Sequence, residues 1–366
     1  MKEWKKYKLG ELITLKYGKD HKKLNDGSFP VYGSGGVMRY GNDYIYDDSS
    51  ILIPRKGSLN NIMFVDKPFW TVDTMFWSII DQELVLPRFL YYTLCKYDFA
   101  GLNVGSAVPS LTVPVIESIE VVIPSIEKQK RILSLLVPLD DKIALNQRIN
   151  DNLEKSMSTL FDFYFGLDNS ESNKYKGAFL TDIATFINGL AMQKFRPKED
   201  EKGIPVLKIK ELGQKSCDSS SDICSPSIKS DYIVNDGDVI FSWSGTLLVD
   251  IWSGGKCGLN QHLFKVTSSN YPLWFAYLWT RMHLNNFIRI SKDKAVTMGH
   301  IKRVDLERAE ISIPTDDTMQ KLDKIFTPIF DSCVTIRVEN RKLSQIRDSL
   351  LPKLMSGELK TDDLHR

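Results

Sequence analysis

The chain has 366 residues, 42% of them hydrophobic, and its 48 basic and 46 acidic side chains leave a formal net charge of +2. The length predicts two or three domains, and the composition excludes a disordered chain. No apolar run reaches a membrane span, the N-terminal MKEWKKYKLG lacks an apolar signal segment, and so balanced a charge does not by itself nominate nucleic acid.

Residues 7–18, YKLGELITLKYG, open a first globular unit. The next distinctive stretch is FPVYGSGGVMRYGN at 29–42, a glycine cluster around Arg39. It fails the GxGxxG fingerprint because position 38 is methionine, and VMRYGNDYIYDD (37–48) has no helical periodicity. The stretch therefore reads as a flexible loop. Short β-rich runs, ILIPR (51–55), IMFV (62–65) and MFWSII (75–80), alternate with glycine and asparagine turns. IPRKGSLNN (53–61) puts its lysine before the glycine, so it is not a Walker loop. Pro87 opens the aromatic run PRFLYYTLC, as suits the first turn of a helix.

A long helix comes next. From Ile132, steps of four and three reach Leu136, Leu139, Ile143, Asn146, Asn150, Leu153, Met157, Leu160 and Tyr164, the stripe of a coiled-coil seam. A second unit starts at AFLTDIATFING (178–189), which resembles residues 7–18 at an offset of 171. Its β-rich runs are VIFSW (239–243) and HLFKV (262–266), and Pro272 opens PLWFAYLWT. AEISIP (309–314) repeats IEVVIP (119–124) at an offset of 190, and the same offset carries the first seam onto Leu322, Phe326, Ile329, Cys333, Ile336, Asn340, Leu343, Arg347, Leu350 and Leu354. Pro138 and Pro328 are expected to kink or divide the helices. Asn150 and Asn340 fall on one seam position; a buried asparagine there would fix register, and a wetted seam is the alternative.

The chain thus reads as a tandem duplication. Two α/β or α+β heads, 1–124 and 169–314, are each followed by a helical segment, 125–168 and 315–366. Heads at opposite ends of an antiparallel helix pair would give a dumbbell.

Signs of catalysis are missing. There is no HExxH or GxSxG motif, and neither PP nor PC occurs, so the adenine and cytosine methyltransferase motifs are absent. His21, His262, His283, His300 and His365 are scattered. Cys95, Cys217, Cys224, Cys257 and Cys333 form no CxxC pair, which argues against a disulfide framework or a zinc site and fits a reducing cytoplasm.

Residues 30–77, PVYGSGGVMRYGNDYIYDDSSILIPRKGSLNNIMFVDKPFWTVDTMFW, resemble one common target-recognition domain of type I restriction-modification specificity subunits. NGLAMQKFRPKEDEKGIPVLKIKEL, NDGDVIFSWSG and GLNQHLFKV are similar to the other common kind. IPSIEKQKRIL, LDDKIALNQRINDNLE and LLPKLMSGEL look like that family's conserved helical regions, so the resemblance covers essentially the whole chain. It implies a non-catalytic subunit whose two heads each read half of a bipartite DNA site, with the helices setting the spacer. Two methylation subunits carrying S-adenosylmethionine would dock on it, and restriction subunits using ATP and magnesium would join them. No cofactor is expected on this chain.

With that implication, arginine can address guanine and glycine lets backbone approach a duplex. Arg39 and Tyr40 become candidate DNA contacts, with Arg55, Lys56, Ser58, Asn60 and Asn61 in the next polar loop. Their counterparts are Lys194, Arg196, Lys208, Lys210, Trp243, Ser244, Gln261 and His262. Two other readings remain open: a self-sufficient DNA-modifying enzyme, and a coiled-coil adaptor whose heads bind nothing specific.

Overall fold

The computed structural model describes residues 4–103, 109–166, 175–293 and 299–359; His365 lies outside them. The chain divides into two compact units, Met1–Asp140 with Ile346–Arg366, and Asp141–Gln345. Each head therefore packs together with part of both long helices. Among the described residues, no helix is long and apolar enough to cross a membrane.

The first unit runs β1 (Trp4–Lys8), β2 (Ile13–Tyr17), β3 (Asp26–Gly33), β4 (Gly36–Gly41), β5 (Ser50–Pro54), β6 (Met63–Val65), β7 (Trp70–Thr71) and β8 (Met75–Ile80). Then come α1 (Pro87–Leu94), α2 (Val113–Glu117), β9 (Glu120–Pro124) and the first part of α3 (Ile126–Phe165). An antiparallel sheet β2-β8-β5-β6 stands beside β4-β3-β7, in which β3 and β7 are parallel, and β1 pairs with β9. All five residues of β5 are buried, as expected of an apolar run covered on both faces. Ile132 and Leu136 of α3 join Ile53, Phe76, Phe89 and Leu90 in one core.

The second unit runs β10 (Lys176–Phe179), α4 (Leu180–Ile183), β11 (Thr185–Asn188), β12 (Ile204–Leu207), α5 (Ile209–Gln214), β13 (Ile223–Cys224) and β14 (Ile233–Val234). It continues through β15 (Val239–Ser242), β16 (Leu248–Ile251), β17 (Cys257–Leu259), β18 (Leu263–Thr267) and α6 (Leu273–Asp293). It closes with α7 (Arg303–Glu307), β19 (Glu310–Ile313) and α8 (Asp316–Ser356), whose last turns belong to the first unit. The sheets repeat the plan: β11-β18-β15-β16 antiparallel, β13-β12-β17-β14 with a parallel β12/β17 pair, and β10 with β19. Trp274 stacks on Phe326 of α8 at 4.3 Å, and Phe161 and Phe165 of α3 close the same core.

The duplication holds to the level of single bonds. The backbone N–H of Lys8 donates to Glu11, as that of Phe179 does to Asp182. Leu9 N donates to Ile119 O at 2.8 Å, and Leu180 N to Ala309 O at 2.8 Å. Gly18 and Gly189 match too: a Cβ would lie 2.0 Å from Val72 O at the first and 2.1 Å from Asn260 O at the second. Only glycine lets those strand ends approach so closely.

Both long helices run unbroken, α3 for 40 residues and α8 for 41. The expected division at Pro138 and Pro328 does not occur. Each proline forfeits one N–H bond, but burial of neighbouring Leu136 and Phe326 holds the adjoining turns in place.

The helices are antiparallel within each unit. In the first, Arg347 Nη1 meets Asp140 Oδ1 at 2.9 Å. In the second, Asn146 Nδ2 donates to Asn340 Oδ1 at 2.9 Å, and Asn340 Nδ2 to Ile143 O at 3.2 Å. Asn150 differs from Asn340: its Nδ2 donates to Glu154 within α3 at 2.8 Å, and its buried Oδ1 has no partner among the described residues. The offset of 190 explains this, because it carries Asn146 onto Ile336, which has no amide to offer. Beside it, Arg337 is buried between Glu154 at 2.6 Å and Asp250 at 2.8 Å. Burial alone would lower the Arg337 pKa; Asp250 and Glu154 outweigh it and hold the guanidinium charged.

Candidate nucleic-acid interface

In the first head the glycine-rich stretch is a β-hairpin, β3 and β4, rather than a flexible loop. Its turn is Ser34 and Gly35, and Gly36 takes a φ of +115°, which favours glycine. Exposed apolar Val37, Met38 and Tyr40 hide the inside–outside alternation that would have marked β4 as a strand. Arg39 is held within the hairpin: Nη2 meets Asp26 Oδ1 at 2.7 Å and donates to Leu24 O at 3.2 Å. Tyr40 is exposed.

The loop after β5 packs against the hairpin tip. Asn61 Nδ2 donates to Ser34 O at 2.7 Å, and a Cβ on Gly57 would lie 2.6 Å from Ser34 Oγ. Arg55 lies over the Tyr17 ring, 5.6 Å from its centre, while Lys56 and Ser58 are exposed. Asn60 braces the fold, donating to Asp98 at 3.0 Å and accepting from Ala100 N at 2.9 Å.

In the second head, Arg196, Lys208, Gln261 and His262 line one cavity of about 260 Å³, together with Met192, Gln193, Asp222 and Asn260. Lys208 caps α5 and pairs with Asp222, whose pKa it holds below the usual carboxylate range. Ser244 Oγ and His262 Nδ1 are 3.0 Å apart, and Gln261 Nε2 lies 3.2 Å from His262 Nε2. Trp243 packs beside His262 and donates from Nε1 to Asn188 Oδ1 at 3.0 Å. Lys194 stands exposed in the short helical turn Met192–Lys194. Lys210 is turned to Ser220 at 2.7 Å and Asp218 at 3.5 Å, so it does not join the cavity.

These two clusters occupy the same place in the repeated fold. Arg55 N donates to Thr74 O and Leu111 N to Arg55 O; Trp243 N donates to His262 O and Ile301 N to Trp243 O. The bridge of Lys56 with Ser110 corresponds to that of Ser244 with His300. Arg55 is thus equivalent to Trp243, Lys56 to Ser244, and Asp73 and Thr74 to Gln261 and His262. Arg55 and Lys56 in the first head, and Trp243, Ser244, Gln261 and His262 in the second, stand where the central strand ends beside the start of its neighbour, an open rim built on rigid sheet. Arg39, Tyr40, Asn60 and Lys210 are placed elsewhere. Asp73, Tyr17, Asn188 and Asn260 belong to the same rim and escaped sequence reasoning. Asn260 adjoins Gln261 in the quoted GLNQH run, but Asp73 and Tyr17 carry no signal apart from register.

The family described as type I restriction modification DNA specificity domain matches residues 1–155 and 173–347. The chain belongs to this family, that of the specificity subunits of type I restriction-modification systems. It is 27% identical over 351 residues to the type I restriction enzyme MjaIX specificity subunit of Methanocaldococcus jannaschii, covering 87% of this chain and 80% of that one. It is 20% identical over 466 residues to the HindI specificity subunit of Haemophilus influenzae, covering 98% and 100%. The crystal structure of the S subunit from M. genitalium shares the fold, with a TM-score of 0.66 at 16% identity over 96% of each chain.

Proposed function

We propose that this chain is the non-catalytic DNA-recognition subunit of a type I restriction-modification complex in the cytoplasm. Each head reads one half of a bipartite, asymmetric double-stranded site through its strand-end rim. The paired helices set the spacer and receive two methylation subunits, which bring S-adenosylmethionine. Restriction subunits, with ATP and magnesium, complete the assembly.

The observation that carries this reading is the repeated rim with exchanged side chains. The frame is kept bond for bond, while Arg55, Lys56, Asp73 and Thr74 are replaced by Trp243, Ser244, Gln261 and His262. Two half-sites of different sequence require that combination, because hydrogen-bonding side chains set which base edge is accepted. Arginine and lysine over a rigid rim also supply phosphate contacts, and the near-neutral whole chain leaves the rest to the partner subunits.

The test is co-expression with a cognate methylation subunit in an unmethylated host, followed by mapping of methylated bases. A bipartite motif that vanishes when this chain is omitted is the expected result. Methylation unchanged by its omission, with the complex assembled and the partner active, would contradict it.

A further inference from the structure

The β3/β4 hairpin exposes more apolar surface than a soluble edge strand ordinarily does. Val37, Met38 and Tyr40 are 46%, 58% and 54% exposed, three large side chains in a strand of six residues. A lone exposed apolar side chain needs no account, but a contiguous group on a twisted edge marks a contact surface.

Register sharpens this. Val31 pairs with Arg39 and Tyr32 with Val37, so Met38 is the extra residue of a β-bulge. Bulges re-aim a side chain out of the pleat. Gly33 makes room for it, since a Cβ there would lie 2.5 Å from Met38 Sδ. Arg39, the obvious polar reader, is occupied by Asp26 and Leu24. The tip, in turn, is tied through Asn61 and Ser34 to the loop that carries the exposed Lys56. Exposed Lys56 thus lies near the apolar side chains of β4, the edge strand of the three-stranded β4-β3-β7 sheet, and a projecting β-edge of this kind can reach the base edges of a major groove.

We propose that Met38, flanked by Val37 and Tyr40, is a specificity-determining residue of the first head that contacts the C5 methyl group of a thymine in its half-site. Only the major groove displays that methyl, and an unbranched thioether adapts to it without hydrogen bonds. The inference rests on the proposed reading that this head binds DNA.

The test uses the complex with its methylation subunits and duplexes carrying the mapped motif. Each thymine is replaced in turn by deoxyuridine, which lacks only the methyl group. For the unmodified chain, one position in one half-site should weaken binding about fourfold, the value of one buried methyl. Met38→Ala should weaken binding of the thymine duplex by a similar factor and lose all sensitivity to deoxyuridine. Met38→Leu, which keeps an apolar side chain, should retain that sensitivity. Equal deoxyuridine effects in the unmodified and Met38→Ala complexes would overturn the proposal, as would the absence of any sensitive thymine. Loss of methylation-subunit binding by Met38→Ala, with DNA affinity of the assembled complex unchanged, would assign the surface to protein instead. If the unmodified complex does not prefer its motif to a scrambled duplex, the recognition reading itself fails, before any variant is measured.

Discussion

The rim of the first head and the rim of the second are the same place built twice. Beneath them, capping bonds, the glycine approaches and the parallel strand pair agree almost atom for atom. At the rim the backbone bonds agree but the side chains do not: an arginine over a tyrosine ring stands where the second head has a tryptophan bonded to an asparagine. Around it the first head raises a bulged hairpin, whereas the second forms a cavity beside α5. This fold separates its duties. Buried backbone bonds hold the frame, so the side chains at strand ends are free to diverge without loss of stability.

Arg337 lies in the buried network of the second unit, and its counterpart in the repeat is the exposed Gln147. Arg337→Met should destabilise the second unit by up to about 3–5 kcal/mol, because Glu154 and Asp250 lose the buried cation between them and keep only the longer, more exposed pairs with Arg281 and Lys215. Gln147→Met should change stability by less than about 0.5 kcal/mol. Thermal unfolding of both variants checks the pair.

At the rim, Gln261→Ala should lower discrimination at one base pair of one half-site by about 1–3 kcal/mol, leaving the other half unaffected. Competition binding with single-base-substituted duplexes measures it. Lys56→Ala should act differently, weakening all duplexes alike and reducing the slope of log affinity against log salt by about one. A salt titration separates the two behaviours.

The smallest expected effect lies in the frame of the second head. His283 donates to Glu310 O at 2.8 Å, and burial holds its pKa below the ordinary histidine value. The unfolded chain takes up the proton first, so the contribution is present above about pH 6.5 and lost as pH falls toward the lowered folded value. His283→Gln should flatten stability over that interval.

Much of this is legible in the sequence because duplication leaves a numerical trace. The offsets of 171 and 190 place the helix seam and the repeated terminal strands without recourse to coordinates. Apolar runs such as ILIPR and VIFSW announce the buried central strands by composition alone. The hairpin is harder, since its partnering depends on a bulge that no residue type signals. Arg39 looks free in the sequence because Asp26 lies thirteen positions away, on the other strand of the hairpin. Asn150 and Asn340 are equivalent by offset yet bonded differently, because a partner's identity, Asn146 or Ile336, decides what a buried amide can do.

In the proposed function each rim reads its own half of one site. The direct measurement maps methylated bases in hosts carrying Arg55→Ala with Lys56→Ala, or Trp243→Ala with Gln261→Ala. Each double variant should alter one half of the motif, a different half in each case, with the spacer unchanged. Both variants altering the same half, or either one altering both halves, would contradict the account.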